Sequence, residues 1–142
     1  MLTNVVTSCT LASMKHHVFV YGSLKKNYNN HSLLENSKFL GKHLTKDSDF
    51  YMISLHSFPG VLKMDNGEGY SILGELYEVD DHTLKNLDVL EGNGHFYKRE
   101  LVRIHSHPEK AWMYVLMEMP YRFYNSDNRV VEDENLRLHE WS

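Results

Sequence analysis

The chain has 142 residues, 42% of them hydrophobic and 24% charged, with a formal net charge of -4 at pH 7. That length suits one domain with a substantial core, and the mildly acidic balance argues against nucleic acid or an anionic membrane as partner. Its apolar stretches fall short of a membrane span, and the one cysteine, Cys9, permits no intramolecular disulfide, which fits a cytoplasmic setting.

Residues 1–14 carry no Lys or Arg and are broken by Thr and Ser, so they do not read as a secretory signal. They are expected to be a disordered extension, with Met14 a natural start and Cys9 outside any catalytic role. Residues 15–142 are expected to form a single domain. Residues 18–21 are apolar throughout and predict a strand buried on both faces, stopping at the turn Tyr21-Gly22-Ser23-Leu24. A short helix begins at Asn29 or Asn30, either a good N-cap, and carries Leu33 and Leu34. Strands follow at 39–44, 51–55 and 71–77, with Asp65-Asn66-Gly67 marking a turn between the last two.

The clearest helix spans 81–90, capped by Asp80 or Asp81 and ended by Gly92. Residues 96–105 and 111–119 predict a hairpin joined by a turn at 106–110. In its second arm Trp112, Tyr114 and Leu116 share one face while Met113, Val115 and Met117 share the other, so that strand should be central. After Pro120 the chain is acidic, aromatic and weakly patterned, and is expected to be a tail that wraps the surface or frays. Many short strands with two short helices give an α+β domain: a small mixed, mostly antiparallel β-barrel with a few short helices.

Glu91 draws attention because with Leu84 and Leu87 it falls at i, i+3 and i+7 on one helical stripe. An acid there faces the interior, and burial together with the negative end of the helix dipole raises its pKa toward that of a general base. The other reading is a frayed helix end with Glu91 in solvent, and pattern alone leaves both open. The turn at Tyr21-Gly22-Ser23-Leu24 leaves backbone N–H groups at the end of a buried strand, which can hold a carboxylate or an oxyanion. A plain strand exit with Tyr21 packed is the simpler alternative. Ser23 has no nucleophile-elbow context.

Ten histidines invite a metal reading, but their spacings do not suit ligation; His31, near the turn, is the candidate pocket residue. Glu75, in an otherwise apolar strand, is expected either to line a cavity or to face solvent, the second being the simpler. Arg99 is expected to form a structural ion pair, and Tyr97 to pack.

Four segments taken together resemble the gamma-glutamylcyclotransferase-like family, which includes avirulence-induced proteins and gamma-glutamylamine cyclotransferases. They are VFVYGSLKKNYNNHSLL from Val18, FPGVL from Phe58, GELYEVD from Gly74 and LDVLEGNGHFYKRELV from Leu87. The resemblance implies a small mixed barrel with a cavity at one end. Tyr21, Gly22, Ser23 and Leu24 would supply donors to the substrate and Glu91 would be the acid–base residue, with Asn30, His31 and Tyr97 as further pocket members. Many relatives carry Gly where this chain has Asn27, a residue that tolerates positive φ. The implied reaction closes 5-oxoproline from a γ-glutamyl amine or related γ-glutamyl compound, expelling the amine, with no cofactor and no metal. The partner would be a small-molecule γ-glutamyl substrate, the protein a cytoplasmic monomer. The alternative is a non-catalytic member of the same fold that binds a small metabolite.

Overall fold

A computed structural model describes residues 14–64, 67–120, 122–123 and 129–142. Residues 1–13 of the expected extension, with Cys9, and Asp65 and Asn66 of the expected turn lie outside these described residues. The strands are β1 (Lys15–Val20), β2 (Lys38–Leu44), β3 (Phe50–Ser54), β4 (Pro59–Lys63), β5 (Ser71–Asp80), β6 (Tyr97–Val102), β7 (Ala111–Leu116), β8 (Val130–Asp133) and β9 (Leu138–Trp141). One α-helix, α1, runs over Asp81–Glu91, and a single 3-10 turn of helix covers His31–Leu34.

Strand β5 is the spine. It pairs antiparallel with β1 on one edge, from Lys15↔Asp80 to Val20↔Glu75, and with β2 on the other. Beyond β1 come β7, parallel to it at Val18↔Trp112, and then β6 in an antiparallel pair. The row β6-β7-β1-β5-β2 curls until its ends meet: Thr45 bridges Ile104, the His105 amide donates to the Leu44 carbonyl at 2.8 Å, and the Lys46 amide donates to the Arg103 carbonyl at 2.9 Å. This is the mixed, mostly antiparallel barrel predicted above, and the doubly apolar strand at 111–116 is central in it.

Alternation along the strands divides the core in two. Phe19, Leu76, Met113 and Val115 fill the barrel with Met52, Ile72 and Trp141. On the outer face Val18, Val20, Tyr77, Tyr114 and Leu116 are covered by Leu84 and Leu87 of α1 and Leu34. Helix α1 follows β5 without a linker: Asp80 ends the strand and its Oδ1 accepts the Thr83 amide at 2.8 Å as N-cap. Gly92 closes the helix in the left-handed region at φ 58°.

Two expectations are corrected. Residues 59–63, within the 58–66 stretch expected to be a loop, form β4, paired with β3 from Phe50↔Lys63 to Ser54↔Pro59. The segment after Pro120 does not end as a surface tail. Strand β9 pairs in parallel with the start of β5 at Ser71↔Leu138, and Trp141 is 1% exposed within the barrel core. Its polar neighbour His139 is buried because both ring nitrogens are engaged, Nδ1 accepting the Met52 amide at 3.0 Å and Nε2 meeting Glu132 Oε1 at 2.8 Å. Among the described residues no helix is long and apolar enough to cross a membrane.

Candidate active site

At one end of the barrel, where β1 leaves the sheet, a cavity of about 420 Å³ opens between the turn at 21–24, the loop before β4 and the last turn of α1. Its size is that of a small-molecule site. Tyr21 fixes the exit of β1: the ring is buried and its hydroxyl donates to the Tyr114 carbonyl at 2.7 Å. Gly22 then passes so close to Pro59 that a Cβ would lie 2.8 Å from the Pro59 Cγ and 2.9 Å from its Cδ. Only a residue without a side chain lets the turn approach β4 this way.

The chain next folds back on itself. The Lys25 amide donates to the Gly22 carbonyl at 3.0 Å, and the Asn30 amide to the Ser23 carbonyl at 2.9 Å. Asn30 Nδ2 also donates to Ser23 Oγ at 2.8 Å. Asn27 sits at φ 71°, the positive value its residue type accommodates. From the side, Glu75 Oε1 accepts the Lys26 amide at 2.8 Å and the Tyr77 hydroxyl at 3.0 Å. Glu75 is half-buried and does not line the cavity; it braces this loop from outside. Gly22, Ser23 and Leu24 line the cavity, and their amides donate to no acceptor among the described residues.

The same cavity is lined by Glu91, the last residue of α1. Its carboxylate accepts no hydrogen bond among the described residues, and burial raises its pKa from 4.5 to about 7. The helix dipole, negative at this end, works in the same direction. The inward reading of the Leu84, Leu87 and Glu91 stripe is the one the structure adopts. Tyr97 lines the same wall, with its hydroxyl donating to the Pro59 carbonyl at 2.8 Å. Burial first, and then the Glu91 charge, push the Tyr97 hydroxyl far above its ordinary range, so it stays a neutral donor.

Behind Glu91 the helix is clamped to the sheet through Asp88. Its carboxylate accepts two bonds from Arg99, at 2.7 and 3.1 Å, and one from the Tyr114 hydroxyl at 2.7 Å. Arg99 thus makes the structural ion pair expected of it, and its guanidinium lies 4.4 Å over the Trp112 ring. Such a brace steadies the last turn of α1, because helix ends otherwise fray.

Of the residues singled out from sequence, Tyr21, Gly22, Ser23, Leu24, Asn30, Tyr97 and Glu91 all line the cavity. His31 does not, a correction with a local cause. It opens the 3-10 turn with its ring drawn back over the loop, Nδ1 lying 2.9 Å from the Leu24 carbonyl and the ring 5.8 Å from that of Tyr77. Ser57, Val89, Leu90, Phe96 and Tyr114 also line the wall and were not singled out from sequence, while Asn29, Phe58 and Pro59 line it from the loops at 27–30 and 58–66 on which specificity was expected to depend. The one available signal was FPGVL, whose Pro-Gly pair looks odd for a strand unless something must pass close by. Among the described residues no three of His, Cys, Asp or Glu converge so as to hold a metal ion.

The site can bind an anion or an oxyanion on free amides and exchange a proton with a carboxyl poised near neutrality. A family model described as "Gamma-glutamyl cyclotransferase, AIG2-like" matches residues 18–141. Over 106 residues the chain is 43% identical to a Methanocaldococcus jannaschii protein named "Putative gamma-glutamylcyclotransferase MJ1514", covering 72% of this chain and 85% of that one. It is 34% identical over 94 residues to the gamma-glutamylaminecyclotransferase of Rattus norvegicus, covering 62% of each. In fold it is similar to the crystal structure of an AIG2-like protein from Mus musculus, with a TM-score of 0.65 at 23% identity, covering 90% of this chain and 97% of that one.

Proposed function

The chain belongs to the gamma-glutamyl cyclotransferase, AIG2-like family, and on that premise we propose that it converts a γ-glutamyl amine or related γ-glutamyl compound to 5-oxoproline and free amine. Glu91 is the general acid–base in this reading. The observation that carries it is the pairing, in one cavity, of an unpartnered carboxyl near neutrality with the free amides of Gly22, Ser23 and Leu24.

In the reaction the substrate's α-ammonium gives a proton to Glu91, and the freed amine attacks the γ-carbonyl carbon of the same molecule. A nitrogen–carbon bond forms while the carbonyl oxygen takes up negative charge, which the turn's amides stabilise. Glu91 then returns the proton to the departing nitrogen. The original amide bond breaks as the carbonyl re-forms, and the ring nitrogen releases its second proton to solvent or to the amine. Because both reactants share one molecule, the site's main work is to hold the folded-over conformer, which rigid walls such as Pro59 and Tyr97 favour. Neither a metal nor an organic cofactor enters these steps.

The test is to incubate the protein with γ-glutamyl-ε-lysine and a panel of γ-glutamyl amino acids and amides, and to quantify 5-oxoproline. Wild type should produce it, and Glu91→Gln should lose turnover while retaining the fold. A protein that binds these compounds saturably but yields no 5-oxoproline at high enzyme concentration is a metabolite-binding member of the family instead.

A further inference from the structure

Lys25 directly follows the turn at 21–24, and it is buried. At 5% exposure it is, among the described residues, the one Lys, Arg, Asp or Glu withdrawn from solvent to this degree. A lysine so placed ordinarily has a carboxylate partner. Here the ammonium makes no ion pair among the described residues. It donates instead to the backbone carbonyl of Trp141 at 2.5 Å and lies 4.9 Å over the Tyr28 ring. Burial pulls its pKa below the ordinary lysine value, while Glu140 on β9 and Glu75 on β5 act to raise it and Lys42 on β2 to lower it.

Two distant segments meet at this ammonium. On one side the Lys25 amide closes the turn on the Gly22 carbonyl at 3.0 Å, and the Asn30 amide returns to Ser23 at 2.9 Å. On the other side is β9, 116 residues along the chain. That strand is itself fixed: the Trp141 side chain is in the barrel core, with the Arg129 guanidinium 4.4 Å over its ring. Lys25 is not on the cavity wall, so it is neither a binding group nor a proton carrier there. An apolar side chain of the same length would fill the space without taking a charge out of water. Packing therefore does not account for a lysine at this position, whereas a directional bond from the turn to a fixed carbonyl does.

We propose that Lys25 is a positioning residue: through its bond to Trp141, the C-terminal strand sets the place of Gly22, Ser23 and Leu24 and with it the hold of the site on an anion. This rests on the cyclotransferase reading and adds to it a residue off the cavity wall and a strand on which the site depends.

Lys25→Met keeps the length and the apolar stem of the side chain and removes the ammonium. Urea unfolding should move little, because the cost of burying the charge goes with the bond and the Tyr28 hydroxyl stays 3.4 Å from the same carbonyl. Calorimetric binding of 5-oxoproline should nevertheless weaken, and kcat/KM for γ-glutamyl-ε-lysine fall, each by about tenfold or more, as misplaced binding groups cause. Lys25→Arg, which keeps a charged donor, should recover most of both losses. The amides of residue 25 and Asn30 in the Met variant should exchange with solvent about tenfold faster, while those of β1 and β5 keep their wild-type rates. Unchanged affinity, or a loss of affinity matched by a loss of global stability, overturns the inference and leaves cyclisation intact. If wild type neither binds nor forms 5-oxoproline, the cyclotransferase reading falls and amide exchange decides. Faster exchange confined to the turn supports Lys25 as its anchor, and unchanged exchange overturns it.

Discussion

Glu91→Gln preserves the shape of the side chain and removes its titration, so it separates what the acid costs the fold from what it does for a substrate. Burial holds the folded-state pKa at about 7 against an ordinary 4.5. Between those values the native chain keeps a proton that the unfolded chain has released, so native stability falls as pH rises through that window. Below it both states are protonated and nothing is lost; above it the whole cost is present. At about 1.4 kcal/mol for each pKa unit the cost is at most ~3 kcal/mol, and screening by solvent at the cavity mouth brings it nearer ~2 kcal/mol. The glutamine variant should therefore match wild type in urea unfolding at about pH 4 and be more stable by about 2 kcal/mol at about pH 8. The same protein should lose 5-oxoproline formation by about 10²–10⁴-fold, the usual worth of a general base. A variant no more stable than wild type in mild alkali would refute the buried-acid argument, and one that still turns over would refute the assigned role.

The remaining expectations concern the walls. Gly22→Ala pushes a methyl into the Pro59 ring, at 2.8 Å from Cγ, and should destabilise by about 1–3 kcal/mol. It should also weaken binding of 5-oxoproline in a calorimetric titration; unchanged affinity would mean that the turn does not touch ligand. Tyr97→Phe leaves the Pro59 carbonyl without its donor and should cost about 1–3 kcal/mol in thermal or denaturant unfolding. Trp141→Ala should cost about 3–5 kcal/mol by the same measurement, whereas a residue on a surface tail would register within about 0.5 kcal/mol.

Legibility followed the range of the interactions. Strand β1, helix α1 and the β6–β7 hairpin showed in the sequence because runs of apolar residues, an Asp N-cap and a terminal glycine are local signals. The two halves of the site, the turn after β1 and Glu91, showed for the same reason. Strand β4 was hidden because Pro59 and Gly60 serve long-range packing, Pro59 against Gly22 and Gly60 against the Leu116 side chain, while reading locally as loop. Strand β9 was hidden because Leu138-His139-Glu140-Trp141 has no clean alternation; His139 is internal only through its bonds to Met52 and Glu132. The cavity rim, with Phe58 and Phe96, is assembled from distant loops. Proximity in sequence misled at His31, which is next to Asn30 and yet lies off the wall.

The seamless passage from β5 into α1 has a mechanical meaning. With Asp80 serving at once as last strand residue and helix cap, the register of the barrel sets the rotational phase of every later helical residue, like two gears on one shaft. A single residue added or removed at that joint would turn the helix by about 100°, carrying the Glu91 carboxyl out of the cavity while leaving each element individually sound. A change of length within a loop would leave that phase alone, whereas one at residue 80 would not.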